Sequence, residues 1–160
     1  MRVERADAED TANWLLLGAE VEELFGPLVD NPGFHRALQQ NIERGSAYCV
    51  REGGGGPGTR LCGGMLVSVH PPQYTIRWLA IAQRWQRQGI GRLLVEHVLR
   101  RVPVPAAVSV VTFGEDIVAG QPARAFYQRL GFRPAESAPI GPEGGSRQVF
   151  RRVLDTVCTI

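Results

Sequence analysis

The sequence contains no lysine, and all 18 of its basic residues are arginine. A lysine amine forms the Schiff bases of many enzymes, and a lysine also completes the phosphate-binding loop G-x-x-x-x-G-K-[ST]. The chain therefore cannot be a Schiff-base enzyme, a P-loop nucleotidase or a kinase that relies on the usual lysine. The use of arginine alone, together with 19 glycines and 11 prolines, indicates a bacterial genome rich in G and C.

Cysteine, long apolar runs and excess charge are also scarce. Three cysteines without a C-x-x-C spacing, Cys49, Cys62 and Cys158, predict free thiols and no metal site. No apolar run approaches the roughly 18 residues that span a bilayer, and the N-terminus lacks the apolar stretch of a signal peptide. The net charge of +2 is too small to indicate nucleic-acid binding. We expect a cytoplasmic protein with no membrane, nucleic-acid or metal partner.

The remaining composition is that of one globular domain. The 160 residues are 44% hydrophobic and 21% charged, which predicts a single domain over residues 1–160. Hydrophobic periodicity predicts strands in MRVERA, SAYCVRE, RLCGGMLVSVH, YTIRWLAIA, AAVSVVTF, FRPAE and RQVFRRVL, with a flexible hairpin loop in EGGGGPGT. It predicts helices over residues 8–25, 32–44, 89–102 and 122–130. The order β-α-α-β-β-β-α-β-α-β-β indicates an α/β fold with a mixed sheet flanked by helices.

The stretch QRWQRQGIGRLLVEHVLRR, residues 83–101, places two glycines and several arginines at the start of a predicted helix. The first turn of a helix has backbone N–H groups without partners and a partial positive charge, so it binds anions. Gly89 and Gly91 would let an anion approach the backbone, and Arg87 and Arg92 would add cationic donors. This pattern predicts a phosphate or pyrophosphate site. The alternative is that Gly89 only permits a tight turn and that the arginines are solvated.

Two motifs in this order resemble the GNAT superfamily of N-acetyltransferases. The sequence does not match the dinucleotide fingerprint G-x-G-x-x-G, because Leu94 stands at the position of the third glycine. The residues from Gln86 to Gly91 instead match [QR]-x-x-G-x-[GA], and ARAFYQRLGFRP, residues 123–134, matches A-x-x-F-Y-x-x-x-G-F. The resemblance covers about residues 46–153. It implies a mixed, mostly antiparallel sheet of six or seven strands flanked by about four helices.

The resemblance also implies the roles of individual residues toward acetyl-CoA. The backbone from Arg87 to Arg92 would bind the CoA pyrophosphate, and Leu79 and Ile81 would pair with the pantetheine arm in a V-shaped gap between strands. A backbone N–H near Ile81 would polarise the thioester carbonyl. The implied cofactor-binding residues are Leu79, Ile81, Gln86, Arg87, Gln88, Gly89, Ile90, Gly91, Arg92 and Tyr127.

Tyr127 falls where the family often has the general acid that protonates the departing thiolate. A phenol with a pKa of about 10 suits that proton transfer. The alternative is that Phe126, Tyr127 and Leu130 form the buried side of a short helix. The sequence departs from the family at Gly120, where an asparagine often contacts the CoA arm.

The base and the acceptor are left open by the sequence. Glu23 is the candidate base that we name, and the other candidates are Glu20, Glu22, His70, Glu115 and Asp116, each of which could instead be a solvated surface residue. His97, on the apolar face of the predicted third helix, is expected to be a core or boundary residue. The acidic stretch AEVEELFGPLVDNP suits a cationic small molecule, and a protein N-terminus is a second option.

We therefore predict an acetyl-CoA-dependent N-acetyltransferase acting on a primary amine of a small molecule by direct attack on the thioester. The alternative function is a non-catalytic acyl-CoA-binding or regulatory module on the same fold. The C-terminal strand RQVFRRVL and the tail DTVCTI offer an edge for a homodimer, with a monomer as the other option.

Overall fold

The computed structural model describes residues 1–22, 27–141 and 144–155. Seven strands form one sheet in the order β1-β2-β3-β4-β5-β7-β6. The strands are β1 Glu4–Arg5, β2 Ala47–Arg51, β3 Leu61–His70, β4 Gln73–Ile81, β5 Ala106–Phe113, β6 Arg133–Ala138 and β7 Arg147–Leu154. The helices among the described residues are α1 Thr11–Glu20, α2 Pro32–Arg44, α3 Ile90–Arg101 and α4 Gln121–Arg129. The predicted fold class and element order are confirmed.

The predicted helix over residues 8–25 differs most from the structure. Residues Ala8–Asp10 form a 3-10 turn, the α-helix begins at Thr11, and it ends at Glu20. The predicted last turn, residues 23–25, lies outside the described residues. The predicted helix over residues 32–44 has the observed bounds, because Asn31 accepts a hydrogen bond from the Gly33 N–H at 2.8 Å and Gly45 ends the helix at φ 73°.

The chain forms two compact units, and each is described by itself. The first contains Met1–Ser68 and Trp78–Arg101. In it β2 pairs antiparallel with β1 and β3. Trp14 is 0% exposed, and a Cβ built at Gly64 on β3 would approach the Trp14 ring to 2.8 Å. The core of this unit therefore depends on a glycine that lets a tryptophan lie flat against the strand.

The second unit contains Val69–Arg77 and the described residues from Val102 onward. In it β5 and β6 each pair antiparallel with β7, and the first half of β4 runs parallel to β5. Arg124 on α4 is buried over the Phe150 ring, with its guanidinium carbon 4.9 Å from the ring centroid. It donates to the Phe113 carbonyl at 3.0 Å and to Gln148 Oε1 at 2.7 Å. These bonds give a buried cation the partners that it requires.

No α-helix among the described residues is suited to crossing a bilayer; the longest has 13 residues.

A buried ion-pair network lies in the first unit. Asp10 and Arg51 are 0% and 5% exposed, and the Asp10 carboxylate accepts from Arg51 Nε at 3.1 Å and Nη2 at 2.7 Å. Arg51 Nη1 also pairs with Glu4 at 2.5 Å. The backbone N–H groups of Asp7 and Gly58 donate to Asp10 at 2.8 and 3.1 Å. The glycine-rich loop that was expected to be flexible is therefore attached at Gly58 to the buried carboxylate.

Hydrogen bonding determines the charge of Asp10. Burial acts to raise the pKa of this carboxyl group, but the hydrogen bonds from Arg51, Asp7 and Gly58 outweigh burial, and the net pKa is lowered. Asp10 is therefore an ionised, fully paired carboxylate, and no local sequence pattern predicts its pairing with Arg51.

We expect Asp10→Asn to lower the free energy of unfolding by about 3 kcal/mol, because Arg51 would remain buried without its main counter-charge. Glu136→Gln is the matched control, since it removes one carboxylate from an exposed arginine pair with Arg151. That change should cost less than about 1 kcal/mol. Urea unfolding at neutral pH measures both losses, and equal losses would contradict the assignment.

The same network predicts the direction in which folding stability changes with pH. Because the pKa of Asp10 is lower in the folded protein than its ordinary value of about 3.9, Asp10 stabilises the fold fully above that pH. Its contribution is lost as the pH falls through the lower, folded-state pKa. Stability should therefore fall less steeply on acidification in Asp10→Asn than in the wild-type protein.

Candidate active site

The turn between β4 and α3 has an unusual backbone. After a 3-10 turn at Gln83–Trp85, Arg87 adopts φ 63° and Gly89 adopts φ 82°. Arg87 is the one non-glycine residue at positive φ among the described parts of the chain. Such a conformation costs a residue with a Cβ about 1–2 kcal/mol. Left-handed residues of this kind cluster at functional sites.

This backbone presents N–H groups that have no described partner. The Leu93 N–H donates to the Gly89 carbonyl at 3.0 Å, so Gly89 is the residue at which the helical bonding of α3 starts. Within the part of the chain that the structure describes, the N–H groups of Arg87, Gln88, Gly89 and Ile90 donate to no protein group. A Cβ built at Gly89 would meet no atom within 4 Å. The turn therefore has open donors and open space, which is what an anion requires.

The arginines near this turn differ in whether a carboxylate pairs with them. The Arg84 guanidinium pairs with Glu52, and Arg92 Nε pairs with Glu96 at 2.7 Å. Arg87 has no recorded ion pair with a described residue. Of the two arginines that the sequence analysis named as phosphate donors, Arg87 is thus available, whereas Arg92 has a carboxylate one helical turn away.

Two carboxylates hold the 3-10 turn in place. Glu52 Oε1 accepts from the Trp85 indole Nε1 at 3.0 Å as well as contacting Arg84. Glu20 Oε1, at the end of α1, accepts from the Gln83 N–H at 3.1 Å. No local pattern in the sequence predicts this role of Glu52, because its partner Trp85 lies 33 residues away.

Side-chain packing fixes the end of β4 against the start of α3. A Cβ built at Gly63 on β3 would lie 2.7 Å from Ile81 Cδ1 and 3.1 Å from Ile90 Cγ2. The side chains of Ile81 and Ile90, both predicted cofactor-binding residues, therefore each approach β3 at Gly63. A larger residue at position 63 would require Ile81 to shift and would press on Ile90.

Near Ile81, one side of the β4 backbone is hydrogen-bonded to β3. The Ala82 N–H donates to the Cys62 carbonyl on β3 at 2.8 Å. Because N–H directions alternate along a strand, the N–H groups of Leu79 and Ile81 point away from β3. The recorded pairing of β4 with β5 runs from Gln73–Ala107 to Ile76–Val110, which leaves Leu79 and Ile81 beyond its last pair. The Gln86 side chain donates to the Ile81 carbonyl at 3.5 Å.

Tyr127 lies on α4 among aromatic side chains. It is 6% exposed, and its ring meets Phe126 and Phe132 edge-on at centroid distances of 5.0 and 5.6 Å. Burial raises the pKa of the Tyr127 hydroxyl. The phenol is therefore protonated at neutral pH, as a proton donor must be, although burial also makes it a weaker acid.

Phe113 leaves no room for a side chain at Gly120, the position where the resemblance implies an asparagine. Gly120 is buried and precedes α4. A Cβ built there would overlap the Cβ of Phe113 and lie 2.7 Å from its ring carbon Cδ2. An asparagine side chain cannot fit beside this phenylalanine, so any contact that it makes in relatives must be absent or made by another group.

The remaining candidates are scattered. Glu23 lies outside the described residues, and so does Cys158. His70 is exposed at the end of β3, the Glu115 carbonyl accepts from Gln121, and the Asp116 carboxylate accepts from the Ser146 hydroxyl.

His97 and the two described cysteines are placed as core or boundary groups. The His97 ring lies 5.1 Å from the Tyr48 ring, and burial, with Arg101 and Arg5 nearby, lowers its pKa. Burial raises the pKa of the Cys49 thiol to about 12 and also raises that of Cys62. Both thiols are thus uncharged at neutral pH and poor nucleophiles. The described residues contain no group of three or more His, Cys, Asp or Glu side chains that could hold a metal ion.

A family model for the acetyltransferase (GNAT) domain matches residues 44–134, which is more than half of the 160 residues. A comparison with curated protein sequences finds no match.

Several solved structures are similar over nearly the whole chain. Ard1 from Thermoplasma volcanium has a TM-score of 0.74 and 15% identity, covering 95% of this chain and 96% of that one. Naa50 from Arabidopsis thaliana, in complex with the bisubstrate analogue CoA-Ac-MVNAL, has a TM-score of 0.71 and 14% identity, covering 95% and 97%. PaiA N-acetyltransferase from Thermoplasma acidophilum, in complex with coenzyme A, has a TM-score of 0.69 and 11% identity, covering 96% and 98%. At these identities the likeness is one of fold.

We expect Gly120→Asn to lower the free energy of unfolding by about 2 kcal/mol, because the new side chain would overlap Phe113. Phe113→Ala supplies the matched background, since it removes the obstructing ring. In that background Gly120→Asn should cost less than about 0.5 kcal/mol, so the two changes should be strongly coupled. A double-mutant cycle by urea unfolding measures the coupling. Additive losses would mean that Phe113 does not exclude the asparagine.

Proposed function

The chain belongs to the GNAT acetyltransferase family, and on that premise we propose that it is an acetyl-CoA-dependent N-acetyltransferase acting on a primary amine of a small molecule. The observation that carries the proposal is the turn from Arg87 to Ile90, with its open N–H groups, positive φ angles and an arginine with no recorded ion pair. A pyrophosphate matches each of these features, because it is a double anion that needs several donors at close range.

The residues present suit acetyl-CoA at this turn. The backbone from Arg87 to Arg92 would hold the pyrophosphate, with the Arg87 guanidinium as an additional donor. Gln86 would support the site indirectly, because its amide contacts the Ile81 carbonyl. The backbone of Leu79 and Ile81, which points away from β3, would bind the pantetheine arm. Acetyl-CoA supplies an acetyl group activated as a thioester.

In this proposal the protein orients the thioester and manages two protons. The Ile81 N–H would donate to the thioester oxygen as the amine attacks, which stabilises the developing negative charge. Tyr127 would give a proton to the departing thiolate. Its buried, protonated phenol supports that assignment, whereas its tight aromatic packing supports the structural alternative.

The proposal for the acceptor comes from the negative charge of the acidic stretch AEVEELFGPLVDNP. Glu20, Glu22 and Asp30 of the acidic stretch are described, and they favour a cationic amine. A protein N-terminus is the alternative, and the peptide part of the Naa50 bisubstrate complex supports it. A second function, a non-catalytic acyl-CoA-binding module, is favoured by Gly120. The homodimer stays a prediction, but the expected edge at RQVFRRVL is wrong, because β7 pairs with β5 on one side and with β6 on the other.

Coenzyme A binding tests the site directly. We expect Gly89→Ala to weaken CoA binding at least about tenfold, because alanine is strained at φ 82° and its methyl group would enter the open space above the turn. Gly54→Ala is the matched control: Gly54 also has positive φ, 68°, and a Cβ there would also meet no atom within 4 Å. Isothermal calorimetry with CoA measures both affinities.

The two glycine variants should lose similar folding stability, so only the CoA affinity distinguishes them. Absence of CoA binding by the folded wild-type protein would reject the proposed function. Equal affinities in the two variants would mean that the phosphate site lies elsewhere.

Tyr127→Phe should lower kcat with acetyl-CoA by about 100-fold and leave the Kd of CoA within about twofold, because it removes only the proposed proton donor. Tyr74→Phe is the control, since Tyr74 is equally buried at 6% exposure. Thiol release from acetyl-CoA with an amine panel gives the rates. Unchanged turnover in Tyr127→Phe would leave Tyr127 as a packing residue.

A further inference from the structure

We propose that the second unit binds a small dianion, carried on phosphate or carboxylate oxygens, in a pocket between β6 and β7. The inference is independent of the acetyltransferase proposal, because it concerns residues that have no role there. It is carried by the pocket itself, by the arginines around it and by the shortage of carboxylates to pair with them.

A pocket of about 510 Å³ lies where β6 begins and β7 ends. All of its lining residues belong to the second unit. Pockets that bind small molecules in proteins have volumes of about 300–1,000 Å³, so this one has room for an organic ion. Gly131 and Ala135, which have little or no side chain, line it together with the larger Val153. The small residues leave the space that a ligand would fill.

The pocket is on the face of the sheet opposite to α4. Arg133 on β6 pairs directly with Arg151 on β7, so both side chains project from the same face. Val153, two residues after Arg151, projects from that face as well, and it is 61% exposed. Phe150 projects from the other face, where Arg124 of α4 lies over its ring. The arginine face of this strand pair is therefore accessible to a ligand from solvent.

Two positive charges face each other across this strand pair. Like charges directly opposite each other on neighbouring strands are destabilising. Arg151 Nη1 and Nη2 donate to the Glu136 carboxylate at 3.1 and 2.6 Å, and its Nε donates to Ser109 Oγ at 3.1 Å. Arg133 is exposed, and it has no ion pair with a described residue. An anion in the pocket would supply the missing counter-charge.

Arg152 adds a third positive charge at the boundary of the pocket. Its side chain starts on the face of Phe150, but its guanidinium lies against Gly131, because a Cβ built on that glycine would be 3.2 Å from Arg152 Nη1. Nη1 donates to a neutral partner, the Leu130 carbonyl, at 2.5 Å. Among the described residues, the three arginines that line the pocket have one recorded carboxylate partner, Glu136. Three positive charges and one negative charge leave an excess of two, which matches a dianion.

The chemistry of arginine defines two kinds of ligand. Guanidinium groups bind phosphate and carboxylate oxygens through two parallel N–H···O bonds, so both kinds of dianion fit. The apolar side chain of Val153 would contact the carbon atoms of an organic ligand. Methyl phosphate and succinate are therefore the two probes, since each is a small dianion of one kind.

Amide NMR of the isotope-labelled full chain locates binding residue by residue. The signals of Gly131, Ala135 and Val153 report on the pocket, and the signal of Gly89 reports on the turn proposed for acetyl-CoA. Both titrations are done above neutral pH, where a phosphate monoester with a second pKa of about 6 is a dianion. Sodium chloride keeps the ionic strength constant, so that screening does not change. A phosphate that binds at the turn is thus distinguished from one that binds in the pocket.

We expect the pocket signals to shift and saturate with at least one probe, with a Kd of about 1 mM or lower. Saturation with methyl phosphate alone would assign a phosphate ligand, and saturation with succinate alone would assign a dicarboxylate. Saturation with both would mean that the pocket recognises the two negative charges and not the atom that carries the oxygens.

Two charge variants should change the affinity in opposite directions. Arg133→Gln should weaken binding by at least about fivefold, whereas Glu136→Gln, which releases Arg151 from its carboxylate, should strengthen it by about threefold. Arg36→Gln is the matched control, because Arg36 is also exposed and has no ion pair with a described residue, but lies on α2 in the first unit. Its affinity should stay within about twofold of that of the wild type. A general loss of structure cannot produce effects of opposite sign.

The inference is overturned if the pocket signals fail to saturate with both probes, if Arg133→Gln binds as tightly as Arg36→Gln, or if Glu136→Gln weakens binding. Shifts that grow linearly and are spread over the whole surface would mean general ion screening only, and they would also overturn it. None of these results bears on the acetyl-CoA turn, which the calorimetry with CoA and the Gly89 signal test separately.

Discussion

The candidate site depends on how Ile81 and Ile90 each pack against β3 at Gly63. One isoleucine ends β4 and the other begins α3, and the glycine between them on β3 allows no side chain of its own. Because both isoleucines are held, the turn between them has its two ends fixed. The strained conformation at Arg87 can therefore persist, since the surrounding packing and not the local preference of the chain determines it.

Three carboxylates of the first unit differ in their roles because they differ in their hydrogen-bond and ion-pair partners. Asp10 is buried and fully paired, so it stabilises the fold. Glu52 is shared between an indole and an arginine, so it positions the 3-10 turn. Glu20 is exposed and bonded to a neutral N–H, so its charge is available to a ligand. The distinction lies in the partners, because an unpaired charge is what can attract a cationic substrate.

Gly120 illustrates a departure from the family that has a steric reason. Phe113, at the end of β5, occupies the space that an asparagine at position 120 would need. The two positions are therefore coupled. The turn from Arg87 to Ile90 belongs to the other compact unit.

The sequence by itself determined the order of the strands and helices, the helix that starts near Gly89, and the family indicated by two motifs. These features depend on hydrophobic periodicity, glycine positions and short motif spacings, each of which involves only a few neighbouring residues. It could not determine that Glu20 bonds to Gln83, that Asp10 pairs with Arg51, or that, among the described residues, Arg92 has a carboxylate partner and Arg87 has none. The tertiary structure decided these points. Each depends on contacts between side chains brought together by packing, and the bond from Gln83 to Glu20 spans 63 residues that no local pattern connects.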